Sequence, residues 1–327
     1  MTLSRTRRVG ATRLLLLATA VATAFGSLTT SAGASSGEAP EPTVSRYVPL
    51  EGTAGDLDRA QEWGCAEGET GRSGLRVLFF GTQESGGELR QPGTSTATRS
   101  ARVSADRAVE VAARWAEGFT SCRKGDAEAI LSLGVNNKDD GGVSGSDAGR
   151  AWAEVVDSGS GSIGSEAVSV VGGVDAEPSW STPQWARDWV DAYLQTTELP
   201  LYAANSADGC PAQGSGGGSC SNGWSVSDVH YVAGGAGSGV SAVPQIYRTD
   251  GIQARQWASI SAWGAANGEG ALRFAGAMAQ QKACEQRSCD GTDNSPEDAW
   301  SQLWEAIDAE SGTRQDTLPH ATDIRWP

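Results

Sequence analysis

Histidine is almost missing from this 327-residue chain, which has only His230 and His320, and the six cysteines form no Cys-x-x-Cys. No zinc-ligand spacing results, and neither histidine has a triad partner nearby in sequence. His230, inside Val229-His230-Tyr231-Val232, reads as a hydrogen-bonded wall residue. No serine stands in Gly-x-Ser-x-Gly, so the nucleophile elbow of α/β-hydrolases is absent. Positive charge is scarce too: Lys and Arg number 25 against 40 Asp and Glu, a net charge of −15. Such a surface disfavours nucleic acid and anionic lipid and leaves a neutral glycan open as partner. No apolar stretch is long enough to span a bilayer.

The one apolar run of note, Leu14 to Phe25, follows Arg5, Arg7, Arg8 and Arg13 and precedes the small-x-small triplet Ala32-Gly33-Ala34. This is the pattern of an export signal over residues 1–34, with the mature chain starting near Ser35. Its removal takes away four Arg and no acid, so −15 becomes −19. A secreted protein oxidises its cysteines. Six allow 15 pairings, but Cys210/Cys220 and Cys284/Cys289 each bracket a short polar loop, which leaves Cys65 with Cys122. Three loop-stapling disulfides are expected, with no metal, no cofactor, no membrane contact after cleavage, and a monomer.

Residues 35–45 have the composition of a flexible leader, and 311–327 read as a polar tail. Between them, 46–310 alternate short apolar runs with amphipathic patterns. The strands expected are 76–81, 129–135, 168–174, 199–203, 228–233, 243–247 and 272–277, with Tyr47–Leu50 as an eighth candidate; near-continuous apolar runs suit a parallel sheet covered on both faces. Ser104 precedes a helical stripe of Ala108, Val111, Ala112, Trp115 and Phe119, and Ser146 precedes one of Ala148, Ala151, Trp152, Val155 and Val156. Thr182-Pro183 and Ser295-Pro296 are N-cap and N1 pairs, and 250–263 forms a weaker helix. With about 290 mature residues, the fold class expected is α/β: an irregular (β/α) TIM-type barrel of parallel strands, its helices reduced in the second half. The Gly/Ser loop at 214–219 falls where a helix would be regular.

Gly159-Ser160-Gly161-Ser162-Ile163-Gly164 matches a dinucleotide fingerprint by letter. That fingerprint needs a strand before it and a helix after it. Here a helix comes first, so the segment reads as an αβ loop. Of the twelve tryptophans, Trp152, Trp189, Trp300 and Trp304 fall on apolar stripes. Trp63, Trp180 and Trp224 fall in expected loops, as sugar-stacking faces or as plugs.

Val170 to Val174 is the most apolar strand, and it ends in Asp175-Ala176-Glu177-Pro178. Alternate side chains on a strand share a face, so both carboxylates project from the C-terminal end, where barrels keep their chemistry. Like charge and desolvation raise one pKa of such a pair. One acid then stays protonated beside one anion, the arrangement that glycoside cleavage uses. The plainer alternative is a helix cap and a solvated acid.

Val174-Asp175-Ala176-Glu177, Leu199-Pro200-Leu201-Tyr202, Val229-His230-Tyr231-Val232-Ala233 and Pro244-Gln245-Ile246-Tyr247 resemble, in order, strand ends of glycoside hydrolase family 25, the lysozyme-like muramidases. The secreted actinobacterial glycoside-hydrolase-like barrels of uncharacterised function are similar as well. The resemblance spans roughly residues 75–280. It implies Glu177 as general acid/base, Asp175 as its anionic partner, and a cleft lined by Tyr202 and Gln245, with Asn136, Asn205, Tyr231 and Tyr247 as further substrate-binding candidates. The family's first-strand aspartate is missing; Gln83 and Glu84 stand there instead, and Glu84, Asp139, Asp140 and Asp250 are the candidates for a further carboxylate. The resulting expectation is a glycosidase on a cell-wall or environmental polysaccharide, with an inactive glycan-binding barrel or a secreted protein with a vestigial cleft as alternatives.

Overall fold

The structure is a computed structural model, and it describes residues 37–212, 219–310 and 312–327. The expected export signal and most of the Gly/Ser loop at 214–219 lie outside these residues.

In chain order the elements are β1 (Thr43–Tyr47), α1 (Ala54–Glu69), β2 (Gly74–Glu84), β3 (Glu88–Arg90), β4 (Arg102–Ser104), α2 (Asp106–Cys122), β5 (Ala129–Asn136), α3 (Gly145–Ser162), β6 (Val168–Asp175), α4 (Pro183–Thr196), β7 (Leu201–Ala203), α5 (Val226–His230), β8 (Val240–Ala242), α6 (Ile252–Asn267), β9 (Gly276–Ala279), α7 (Gln281–Arg287), α8 (Pro296–Asp308) and β10 (His320–Arg325). Eight strands run parallel in the order β8-β7-β6-β5-β2-β1-β10-β9. Two parallel bridges, Ala242 to Phe274 and Gln245 to Met278, draw β8 towards β9 and nearly close the ring. Helices flank the ring, and β3 and β4 extend β2 as an antiparallel flap. This is a TIM-type barrel. Leu75, Val77, Phe79, Val243, Met278 and Ile324 pack its interior, while a larger apolar layer lies between sheet and helices.

The capping signals act locally as expected at Thr182 and Ser295, whose hydroxyls accept from Trp185 N and Asp298 N. Ser144, not Ser146, caps α3. Three corrections concern the strands. Residues 228–233 are helical: Ser225 and Asp228 form a reciprocal capping box, and α5 runs on into a π turn at Tyr231–Gly235. β1 begins inside the supposed leader, and β10 lies inside the supposed polar tail. Trp63 sits on α1, where its ring lies 5.0 Å from the Arg46 guanidinium.

All three disulfides are present, Cys65–Cys122, Cys210–Cys220 and Cys284–Cys289. No helix among the described residues is long and apolar enough to cross a membrane. The Cys65–Cys122 bridge joins α1 to α2 at a place where the two backbones touch. A methyl group at Gly64 would overlap the carbonyl of Trp115, and one at Gly149 on α3 would overlap that of Trp189 on α4. Glycine gives up helix propensity here, about 1 kcal/mol relative to alanine, in exchange for close approach of the helices.

This reverses the usual sign of a substitution. Gly149→Ala should destabilise by about 2 kcal/mol through overpacking, whereas Gly161→Ala, in the same helix with open space around it, should stabilise by up to about 1 kcal/mol. Urea unfolding of the two variants checks both signs; equal shifts would remove the close-approach argument.

Candidate active site

β6 delivers the acid pair. Gly173 faces the interior, where a side chain would meet Ser132 Oγ, and two residues later Asp175 faces it too. The chain beyond is fixed from three sides. Asn205 Oδ1 accepts from Ala176 N (2.9 Å), and Asn137 Oδ1 accepts from Glu177 N (2.9 Å) while its Nδ2 donates to Glu177 O (3.0 Å). Trp180 N also donates to Glu177 O (3.0 Å), which turns the chain after Pro178. Across the barrel, Gln245 Nε2 donates to Asp175 Oδ1 (2.8 Å) and to Ala204 O (3.1 Å).

The two carboxyls face a cavity of about 210 Å³ whose walls include Tyr47, Phe79, Asn136, Lys138, Trp180, Tyr247 and Trp326. A larger groove, about 640 Å³, lies on the outer helical layer between α1 and α2. It is away from the strand ends where barrel chemistry resides. In the inner cavity Trp326 stacks on Tyr47 with ring centroids 4.1 Å apart, and Tyr47 leans on Phe79 at 5.7 Å. Lys138, the one cation among the lining residues, sits 4.8 Å above the Trp180 ring.

Burial dominates the electrostatics. Asp175 is 3% exposed, and desolvation followed by repulsion from Glu177 holds its pKa well above the ordinary carboxylate value. Desolvation, then Asp208, pushes Glu177 up to about 7. Lys138 and the Gln245 amide act the other way on both acids. Burial also raises the pKa of the Tyr247 hydroxyl, which has no hydrogen bond of regular geometry. Burial and mutual repulsion therefore disfavour charge on both members of the pair at once. Among the described residues, no group of three His, Cys, Asp or Glu side chains is placed to hold a metal.

Of the sequence candidates, Asp175, Glu177, Asn136 and Tyr247 line the cavity. Asn205 and Gln245 brace the pair from behind. The others go elsewhere. Regular alternation from Phe79 would point Gln83 inward, but a bulge between Phe79 and Thr82 shifts the register. Gln83 instead donates to Ala148 O and accepts from Trp189 Nε1 under the helices. Glu84 is held by Arg90 and Arg102, and Asp140 by Arg90. Asp139 accepts from Thr182 N, and Asp250 pairs with Arg248. Tyr231, being helical, turns outward to Asp191 under the Arg187 guanidinium. Tyr202 fills the barrel near His320, below the cavity. His230 is buried, its Nε2 2.9 Å from Gly270 O. Trp224 is a plug, donating to Ser181 O.

Sequence reasoning missed Tyr47, Lys138, Trp326 and Asp208. Asp208 lies on the loop after β7; its carbonyl accepts from Ser221 N (2.9 Å), beside the Cys210–Cys220 bridge. The loop staple was the only signal that could have drawn attention to it.

No protein-family model and no curated protein matches the sequence. Among solved structures, the chain is similar to a sugar phosphate isomerase/epimerase from Parabacteroides distasonis ATCC 8503 (8% identity, TM-score 0.40, covering 87% of this chain and 88% of that one). It is similar also to a protein assigned as an α-L-fucosidase from Bacteroides thetaiotaomicron VPI-5482 (10%, 0.41, 92% and 90%) and to an endo-1,4-β-mannanase from Rhizomucor miehei (11%, 0.42, 88% and 86%). Likenesses this distant carry no argument about activity, which rests on the site itself.

The raised carboxyls make stability pH-dependent in a definite direction. A group whose folded pKa is raised adds stability fully present below its unfolded value and lost as pH rises through its folded value. Between about pH 4.5 and 7, the span over which Glu177 shifts, the folded state should weaken as pH rises. Asp323, raised to about 6, acts in the same direction, and His320, lowered to about 4, opposes both below about pH 6.5, so the deciding comparison is between variants. Asp175→Asn should raise the melting temperature at pH 8 by about 5 °C and less at pH 5; equal shifts at the two pH values would contradict the burial of the pair.

Proposed function

We propose that the chain is a secreted glycosidase acting on a cell-wall or environmental polysaccharide, with Glu177 as general acid/base and Asp175 as its anionic partner. The observation that carries this reading is the acid pair at the C-terminal mouth of the barrel, facing an aromatic-walled cavity, where burial pushes the Glu177 pKa up to about 7. A general acid works best with a pKa close to the operating pH.

Glu177 is the member partly open to the cavity, so it is the one that passes its proton to a glycosidic oxygen. Asp175 lies buried beneath it; burial holds its pKa high, and the Gln245 amide is the contact that favours its anionic form, in which it would stabilise positive charge developing on the sugar ring. Trp180 offers an aromatic wall to the apolar side of a sugar, while Trp326 is packed between Tyr47 and the Arg287 guanidinium and completes the cavity rim. At about 210 Å³ the cavity is below the range of sites for drug-sized ligands, a size suited to one sugar ring with the rest of the chain outside. The three disulfides fit an extracellular setting.

A catalytically silent glycan-binding barrel is the second reading. It is favoured by the near-complete burial of Asp175 and its commitment to Gln245, which restrict direct contact between that acid and a substrate.

The test is turnover of peptidoglycan, chitin and soluble glycans by the mature protein. Glu177→Gln should lower kcat/KM by about 10²–10⁴-fold, and wild-type activity should fall as pH rises past about 7, because the proton donor is lost. Undiminished turnover in Glu177→Gln would remove this residue from the mechanism. Glycan binding without turnover would select the second reading.

A further inference from the structure

Arg46 and Arg325 are register partners on neighbouring strands β1 and β10. Their successors, Tyr47 and Trp326, face inward to the cavity, so by alternation both arginines face outward on the same side of the sheet. Arg46 is only 6% exposed, and its guanidinium lies over Trp63 of α1. The Nε of each arginine is buried without a hydrogen-bond partner. Among the described residues, neither guanidinium forms an ion pair or donates a hydrogen bond.

The acids nearby have their main contacts elsewhere. Glu67 Oε2 accepts from Arg76 Nε (3.1 Å) and Val44 N (3.4 Å). Asp323, on the same outer face of β10, accepts from Lys282 N. Burial and then the charge of Arg325 lower the Arg46 pKa to about 10, against a smaller raising effect of Glu67. Two like charges are thus held side by side, Arg46 almost wholly out of water and Arg325 half-buried, in a protein with a net charge of −15. Leaving buried donors unpaired costs about 1–3 kcal/mol each, more for charged groups, and paired arginine forks match the geometry of an oxyanion.

We infer that the β1/β10 seam is a binding site for an oxyanion, a phosphoryl or carboxylate group bridging Arg46 and Arg325 on the face opposite the cavity. The half-buried Arg325 provides the approach from solvent. A bound anion would tie together the two strand positions that precede Tyr47 and Trp326, the stacked pair of the cavity wall.

Calorimetric titration of the full mature protein with inorganic phosphate, and separately with acetate, at fixed ionic strength in chloride, tests the site. Saturable binding of either anion is expected, and the two arms distinguish a phosphoryl from a carboxylate ligand. Arg325→Gln should weaken it by about tenfold or more, and Arg46→Gln likewise where it folds. Arg314→Gln, at an exposed surface pair with Asp308, should leave it unchanged. Heat no greater than that of an equal chloride titration, or affinity in Arg325→Gln within about threefold of wild type, would overturn the inference.

Discussion

The pairing of β1 with β10 is the contact on which the rest depends. A parallel sheet leaves two raw edges unless it closes, and here β10 fills the gap between β1 and β9. Its inner face is polar at the contact: Ser45 and Thr322 share a buried hydroxyl hydrogen bond of 2.8 Å, and Ser45 Oγ also accepts from Val77 N on β2. One rung further, Tyr47 stacks on Trp326. Joining the first and last strands and building the cavity wall are therefore the same event, bringing together segments some 280 residues apart.

The outer layer then keeps the ring rigid. α1 and α2, like α3 and α4, approach until only glycine fits between backbones, and the Cys65–Cys122 bridge fastens the first of these pairs. Rigidity matters because the acid pair is unfavourable in isolation. Burying two carboxyls together disfavours their charge, and the site persists because the frame around it is over-determined by the Asn137, Asn205 and Gln245 braces.

This division explains what could be read from residues alone. β5 and β6 are apolar on both faces, so their runs stand out, and the capped helices announce their starts. β1 and β10 are Thr-Val-Ser-Arg-Tyr and His-Ala-Thr-Asp-Ile-Arg. They are buried through hydroxyl pairing and outward arginines rather than through apolar runs, so they read as leader and tail. α1 packs through glycine close to α2 and so carries a weak apolar stripe. Ser225-x-x-Asp228 has the spacing of a capping box, whereas the short apolar run after it has the look of a strand. Asp175 and Glu177 could be placed by strand alternation. Gln83 could not, because a bulge has no reliable sequence mark, and one inserted residue sends every later side chain to the other face.

The same displacement bears on the chemistry. At the end of β2 this chain has, in Gln83 and Glu84, an amide buried under the helices and an acid fixed between two arginines, so that strand sends no acid to the cavity. A further acid stands on the other side, Asp208 on the disulfide-stapled loop. Burial is the main cause that raises Glu177, Asp208 adds to it, and Lys138 acts against it on both members of the pair. A sugar ring entering the cavity would expel water and strengthen every one of these interactions. On the glycosidase reading proposed above, desolvation by an occupying ring would favour the neutral form of Glu177, the member of the pair that faces it.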